Sequence, residues 1–181
     1  MKLWKLVSAV ITLVISTGVN ASLIGNEVYA QNSFSNGQIL FNSSEIVTND
    51  IEFTDTYNSF ALFELDLFDT YALFRITNTF NGGLGMGEQQ LVINGFDDLI
   101  IGVNAIQTKI GLFPSNNPDF SASFSEHGIT FDLMGSLSFG GSGVVKEWRI
   151  DIDSIAVVSE PATISLLGLG LFVFALRKKV K

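Results

Sequence analysis

Between residues 22 and 158 the chain alternates apolar and polar side chains with a period of two, as in strands with one buried face. The clearest alternation covers residues 63–67 and 72–77, two runs separated by a short polar break, and it predicts a β-hairpin. Residues 129–133 and 147–152 alternate in the same way. The last run has an apolar face and a charged face, which is typical of an antiparallel sheet with one side in water.

Shorter runs of similar composition predict further strands at 27–31, 38–41, 45–53, 90–94, 99–103, 108–113 and 120–124. Turn signals separate them, at Asn36-Gly37, Asn81-Gly82-Gly83, Asn94-Gly95, residues 114–118 and residues 140–143. Asn and Gly tolerate the positive φ that tight hairpins require. No helical period stands out in this region. We therefore expect an all-β fold, a single antiparallel β-sandwich, with a jelly roll among the possible topologies.

The first 21 residues have the order of a secretory signal peptide. Two lysines precede an apolar run at residues 6–15, and a short polar segment follows. Val19 and Ala21 occupy the −3 and −1 positions of a cleavage site, so we expect signal peptidase to cut between Ala21 and Ser22. An N-terminal anchor that is never cleaved is the alternative.

The C-terminal segment predicts a membrane-spanning helix. Pro161 can begin a helix, and the uncharged run from Ala162 to Leu176 follows it. The chain then ends in a basic tail, Arg177, Lys178, Lys179 and Lys181, which favours retention on the cytoplasmic side. The run is shorter than the roughly 20 residues of a typical span. Snorkelling of the flanking basic side chains can extend it, and a buried core helix is the alternative.

The order of these features resembles the PEP-CTERM sorting signal of Gram-negative bacteria. Ser159, Glu160 and Pro161 stand in place of the Pro-Glu-Pro motif, residues 167–171 read Leu-Gly-Leu-Gly-Leu, and the basic tail closes the chain. Serine replaces the first proline, while Glu160 and Pro161 match. The resemblance implies transient residence in the inner membrane and cleavage by an exosortase-like membrane protease. It also implies delivery to the cell surface or extracellular matrix, in a context of exopolysaccharide and biofilm.

The chain is thus divided into a signal peptide at 1–21, a β-sandwich domain at 22–158 and a sorting signal at 159–181. The sequence has 18 acidic and 10 basic residues. Most of the cations lie in the two ends, so four basic and 17 acidic residues leave the middle domain with a net charge of −13. A domain this acidic repels nucleic acid and anionic membrane surfaces. We expect no nucleic-acid partner.

The residue types also restrict catalysis and metal binding. The chain has no cysteine, which excludes thiol catalysis and thiolate metal sites. Its single histidine, His127, lies in Ser-Glu-His-Gly, a predicted polar turn between two strands. We expect the negative charge to keep an exported protein soluble. The alternative is a calcium site in the acidic loops, with Asp97, Asp98 and Asp119 as candidate ligands.

Aromatic side chains are the candidates for stacking on sugar. Tyr57 and Tyr71 are open to this role, whereas Trp148 shares a face with Ile150 and Ile152 and is expected in the core.

Two classes of function follow. The first is an exported, non-catalytic surface or matrix protein, which includes a carbohydrate-binding module as a special case. The second is a glycan-active enzyme with paired carboxylates, for which the sequence offers many acids and no motif. We expect the non-catalytic class and no cofactor, with calcium as the alternative.

Overall fold

The structure, a computed structural model, describes residues 23–110 and 118–155. Every regular element in these residues is a β-strand. The twelve strands of the described ranges are β1 Glu27–Phe34, β2 Ile39–Ile46, β3 Phe53–Tyr57, β4 Ala61–Leu67, β5 Tyr71–Asn78, β6 Leu84–Met86, β7 Gln89–Asn94, β8 Leu99–Lys109, β9 Asp119–Ser125, β10 Gly128–Met134, β11 Leu137–Phe139 and β12 Val145–Ile155.

Two five-stranded sheets and a small ribbon contain all these strands. Sheet A has the order β2-β1-β7-β10-β9, sheet B has the order β3-β4-β5-β12-β8, and β6 pairs with β11. The pairs within each sheet are antiparallel. Sheet B begins as a meander of β3, β4 and β5, and β12 then inserts between β5 and β8, so strands distant in sequence complete it.

The two sheets pack face to face around one apolar core. Phe74 and Trp148 of sheet B contact Phe131 of sheet A, with ring centroids 6.2 and 6.1 Å apart. All three side chains are buried. The predicted all-β, antiparallel β-sandwich is therefore confirmed. Trp148 lies in the core, as its alternation with charged neighbours predicted, while Asn32 and Lys146 are unexpected polar residues in the same interior.

The first predicted hairpin is confirmed. β4 and β5 pair in register, with Phe63 opposite Ile76 and Leu65 opposite Phe74. Their turn closes with a 2.8 Å hydrogen bond from the N–H of Phe68 to the carbonyl of Tyr71. The hairpin forms because both strands bury alternate apolar side chains on the same side of sheet B.

The prediction of one strand at 45–53 is wrong. β2 ends at Ile46 in sheet A, and β3 begins at Phe53 in sheet B. The residues between them carry the chain from one sheet to the other, and Val47 is buried on the way. The N–H of Val47 donates to the carbonyl of Asn26, which satisfies the backbone there without a strand ladder.

Asn94-Gly95 is a turn, but it does not close a hairpin. β7 before it belongs to sheet A, and β8 after it belongs to sheet B. Gly95 has φ +98°, and a Cβ atom there would lie 2.8 Å from the carbonyl oxygen of Glu27. Glycine is therefore required for both the backbone angle and the close approach of β1.

Two separate strands were predicted at 99–103 and 108–113, but residues 99–109 form one strand, β8. β8 pairs with β12 along its whole length, with two irregularities in the register. The remainder of the second run, from residue 111, lies outside the described residues. β6 and β11 were not predicted, because three-residue strands are too short to show a period.

Candidate functional site

The outer face of sheet A is polar, and its charged residues are all acidic. The outward positions of its central strands and of β9 carry Glu27, Tyr29, Gln31, Ser33, Gln90, Val92, Asn94, Asp119, Ser121, Ser123, Ser125, Thr130, Asp132 and Met134. The Tyr29 hydroxyl donates to Gln31 Oε1 over 2.9 Å, and Gln90 Nε2 donates to Asp132 Oδ1 over 2.8 Å. Hydroxyl and amide groups provide both donors and acceptors, so this face suits a ligand that offers both.

A cavity of about 460 Å³ lies at one end of this face, where β1 ends, β7 begins and β10 ends. Its walls combine hydroxyl, amide, carboxylate and apolar groups: Ser33, Phe34, Ser35, Gly37, Glu88, Gln89, Gln90, Asp132, Leu133 and Met134. Ser33, Gln90 and Asp132 are paired across three strands, so the sheet register fixes their order. The cavity has the size of a small-molecule site.

None of the residues that line this cavity was predicted from the sequence, and Gln89 is the one whose side chain is buried without a partner. It is 4% exposed, and neither its amide nitrogen nor its amide oxygen has a hydrogen-bond partner in the structure. Asn32, fully buried on the neighbouring strand, is in the same state. An unpaired buried polar group costs about 1–3 kcal/mol of stability. The sequence does contain a signal for these two residues. Gln89 and Asn32 each stand at a position where the alternation of the strand calls for a buried apolar side chain.

The outer face of sheet B differs because it is charged. Glu147 accepts hydrogen bonds from Arg75 Nε over 2.7 Å, from Lys109 Nζ over 2.9 Å and from Thr108 Oγ1 over 2.8 Å. Burial alone would raise the pKa of Glu147, but these hydrogen bonds outweigh it and lower the pKa from 4.5 to about 2. The sequence predicted a charged, exposed position here, whereas Glu147 is 6% exposed and covered by its partners.

Asp66 lies beside this network with the opposite shift. Burial raises the pKa of Asp66, the negative charge of Glu52 raises it further, and Arg75 opposes both. Arg75 Nη2 is 3.8 Å from Asp66 Oδ2, too long for a direct hydrogen bond. Two carboxyls with opposite pKa shifts can supply an acid and a base. Here they share one arginine, so the arrangement connects β4, β5, β12 and β8.

The candidate calcium ligands do not form one group. Asp97 and Asp98 lie in the β7–β8 connection, next to His127, whose carbonyl accepts from the N–H of Gly95. Asp119 is paired with Met134, at the far end of β10. Six residues of extended strand separate these positions, about 20 Å. Among the described residues no three acidic or histidine side chains are placed to hold a metal ion. Calcium binding itself stays a prediction.

The structure also places the other candidate side chains. His127 is exposed in the turn between β9 and β10, as predicted, and its Nδ1 lies 2.8 Å from the carbonyl oxygen of Phe96. Tyr71 stacks on Phe68 and lies under the Arg149 guanidinium, so internal contacts occupy its ring. Tyr57 makes an edge contact with Phe34, a residue of the cavity wall.

The residues of the predicted signal peptide and sorting signal lie outside the described residues. They are the cleavage site at Ala21 and Ser22, the motif Ser159, Glu160 and Pro161, the helix from Ala162 to Leu176, and the tail Arg177, Lys178, Lys179 and Lys181. Within residues 23–110 and 118–155, no helix is long and apolar enough to cross a membrane.

Comparison with known proteins identifies the C-terminal segment. Residues 157–179 match the family model of the PEP-CTERM protein-sorting motif, which confirms the resemblance found in the sequence. The comparison with curated proteins found no match. One similar solved structure is a mutant of the carbohydrate-binding module CBM3b from cellobiohydrolase 9A of Clostridium thermocellum, with 15% identity over 69% of this chain and 70% of that one. Its TM-score is 0.24.

Proposed function

We propose that this protein, a chain with a PEP-CTERM protein-sorting motif, is a non-catalytic component of the cell surface or extracellular matrix of a Gram-negative bacterium. The match at residues 157–179 is the observation that carries the proposal, since the motif implies export and processing by an exosortase, a membrane protein. In this proposal signal peptidase removes residues 1–21. The C-terminal helix then holds the chain in the inner membrane until the exosortase cuts near the motif.

The β-sandwich is the part that remains after processing, and we propose that it associates with exopolysaccharide in biofilm. Its net charge of −13 keeps it soluble and away from anionic membrane surfaces. Two buried carboxylates of sheet B, Glu147 and Asp66, are engaged with Arg75. The polar outer face of sheet A remains available for a ligand.

Replacing Glu160 and Pro161 together by alanine tests the export route. The wild-type protein should be recovered from the surface or medium fraction without its C-terminal segment, whereas the double variant should accumulate uncut in the inner membrane. Ser159→Ala is the matched control, because this position already departs from the Pro-Glu-Pro pattern, and it should be processed normally. Release of the double variant at the wild-type level, measured by intact mass of each fraction, would contradict the proposal.

A reducing-sugar assay on the same purified protein tests the absence of catalysis. We expect no sugar release from neutral or acidic polysaccharides. Sustained release that is proportional to protein concentration would assign the chain to the glycan-active enzymes instead.

A further inference from the structure

The cavity at the end of sheet A is lined by a buried polar side chain that lacks hydrogen-bond partners in the protein. Gln89 is 96% buried and lines the cavity, and its amide nitrogen and oxygen have no partner in the protein. Native structures pair nearly all such buried groups, so each exception needs an explanation. A ligand that both donates and accepts hydrogen bonds would supply both missing partners.

Gln89 lies at the end of the sheet, where its strand borders the cavity. Gln89 is the first residue of β7 and is paired with Phe34 on one side and Leu133 on the other. All three residues line the cavity. Gln89 therefore lies between two apolar residues at the end of the sheet, while Leu91 and Ile93 continue the same strand into the core.

The walls of the cavity select for a neutral ligand with many hydroxyl groups. Glu88 and Asp132 are carboxylates, which accept hydrogen bonds and repel anions. None of the described residues that line the cavity is basic, so nothing there attracts a phosphate, a sulfate or a uronate. Ser33 and Ser35 add hydroxyls that can donate or accept, and Phe34 provides an apolar surface.

We propose that this cavity binds a sugar residue of a neutral polysaccharide. In the bound state a rotation of the Gln89 side chain exposes its amide to the cavity, where it accepts from one sugar hydroxyl and donates to another. On the outer face of the sheet, Asp132 accepts from a hydroxyl of the adjoining part of the polysaccharide, beside Gln90, which already donates to Asp132 over 2.8 Å. The polar outer face of sheet A, which continues from the cavity past Thr130, receives the adjoining part of the polysaccharide. This inference rests on the proposed function, because export to the matrix brings the site to its ligand.

Affinity electrophoresis of the full chain, purified in detergent, tests the proposal in native gels that contain laminarin, dextran, galactomannan or polygalacturonate. Wild-type protein should be retarded by at least one of the three neutral polysaccharides and not by polygalacturonate. Gln89→Met removes both hydrogen-bonding atoms at nearly constant volume, and it should weaken retardation about tenfold or more. Gln107→Met, in β8 of the opposite sheet, is the matched control and should leave retardation unchanged.

Thermal unfolding of the same variants separates binding from a structural role. Because the Gln89 amide has no partner in the folded protein, methionine should keep or raise the melting temperature while retardation is lost. Asp132→Asn provides a second variant at a partly exposed position, and it should also weaken retardation.

Three results would overturn the proposal: no retardation of wild-type protein by any neutral polysaccharide, retardation by polygalacturonate alone, or equal retardation of the wild type and both cavity variants. A binding failure together with normal sorting would leave the export proposal intact, since that rests on the motif at residues 157–179.

Discussion

Replacing Glu147 by glutamine should destabilise the sandwich, because it removes a negative charge that three hydrogen bonds stabilise. Hydrogen bonds from Lys109, Arg75 and Thr108 overcome the effect of burial and hold the pKa of Glu147 at about 2, against an ordinary value of 4.5. This difference corresponds to about 3 kcal/mol of folding free energy at neutral pH. Glutamine keeps the size of the side chain but not its charge. We expect Glu147→Gln to lose about 2–3 kcal/mol of unfolding free energy at pH 7.

The loss of stability in Glu147→Gln should be large at neutral pH and should disappear in acid. The folded-state pKa lies below the unfolded value, so the stabilisation is fully present above about pH 5 and is lost as the pH falls towards about 2. Wild-type stability should therefore approach that of Glu147→Gln in acid, while the difference between them stays constant from about pH 6 to 8. Urea titrations followed by tryptophan fluorescence at several pH values measure both curves.

Glu64→Gln is the matched control for this prediction. Glu64 lies opposite Arg75 on the other neighbouring strand of the same outer face. It is more exposed than Glu147, and its loss should cost less than about 1 kcal/mol. Equal stability of Glu147→Gln and wild type at pH 7 would refute the reasoning. A deficit that persists undiminished at about pH 2 would show that packing, and not charge, explains the effect.

Two further predictions concern the loops and the net charge. Gly95→Ala should lower the free energy of unfolding by about 2–4 kcal/mol, because φ is +98° and the new Cβ would meet the Glu27 carbonyl. Gly37→Ala, at φ +84° in open space, should lower it by about 1–2 kcal/mol in the same urea assay. Equal losses would contradict the role of the close approach at Gly95. Sodium and calcium at matched ionic strength should raise the melting temperature alike, because the acidic domain repels itself. A saturable stabilisation by calcium that magnesium does not reproduce, about 2.7 kcal/mol at a free calcium concentration of 100 Kd, would instead indicate a specific calcium site.

The pattern of neighbouring residues was sufficient to predict the fold class and the sorting signal. The alternation at residues 63–67, 72–77, 129–133 and 147–152 identified strands and their buried faces, because the side-chain period of a strand is a property of neighbouring residues. The motif with Glu160 and Pro161 was equally local, since it is recognised as a linear segment.

The local pattern did not predict which sheet each strand belongs to. The same turn signal, Asn-Gly, lies within a hairpin at Gly37 and between the two sheets at Gly95. Which of these a turn becomes depends on the partners that the following strand finds far along the chain. The strand expected at 45–53 was divided for the same reason, because the chain had to pass from sheet A to sheet B.

The candidate site was decided by tertiary structure. Gln89 resembles any polar residue at a strand end until β1 and β10 pair on either side of it and bury its amide without a partner. Glu147 resembles a solvated acid until Arg75 and Lys109 arrive from two other strands and cover it. A side chain's burial and hydrogen bonds depend on residues brought to it from distant parts of the chain, whereas its place in an alternating pattern depends only on its neighbours.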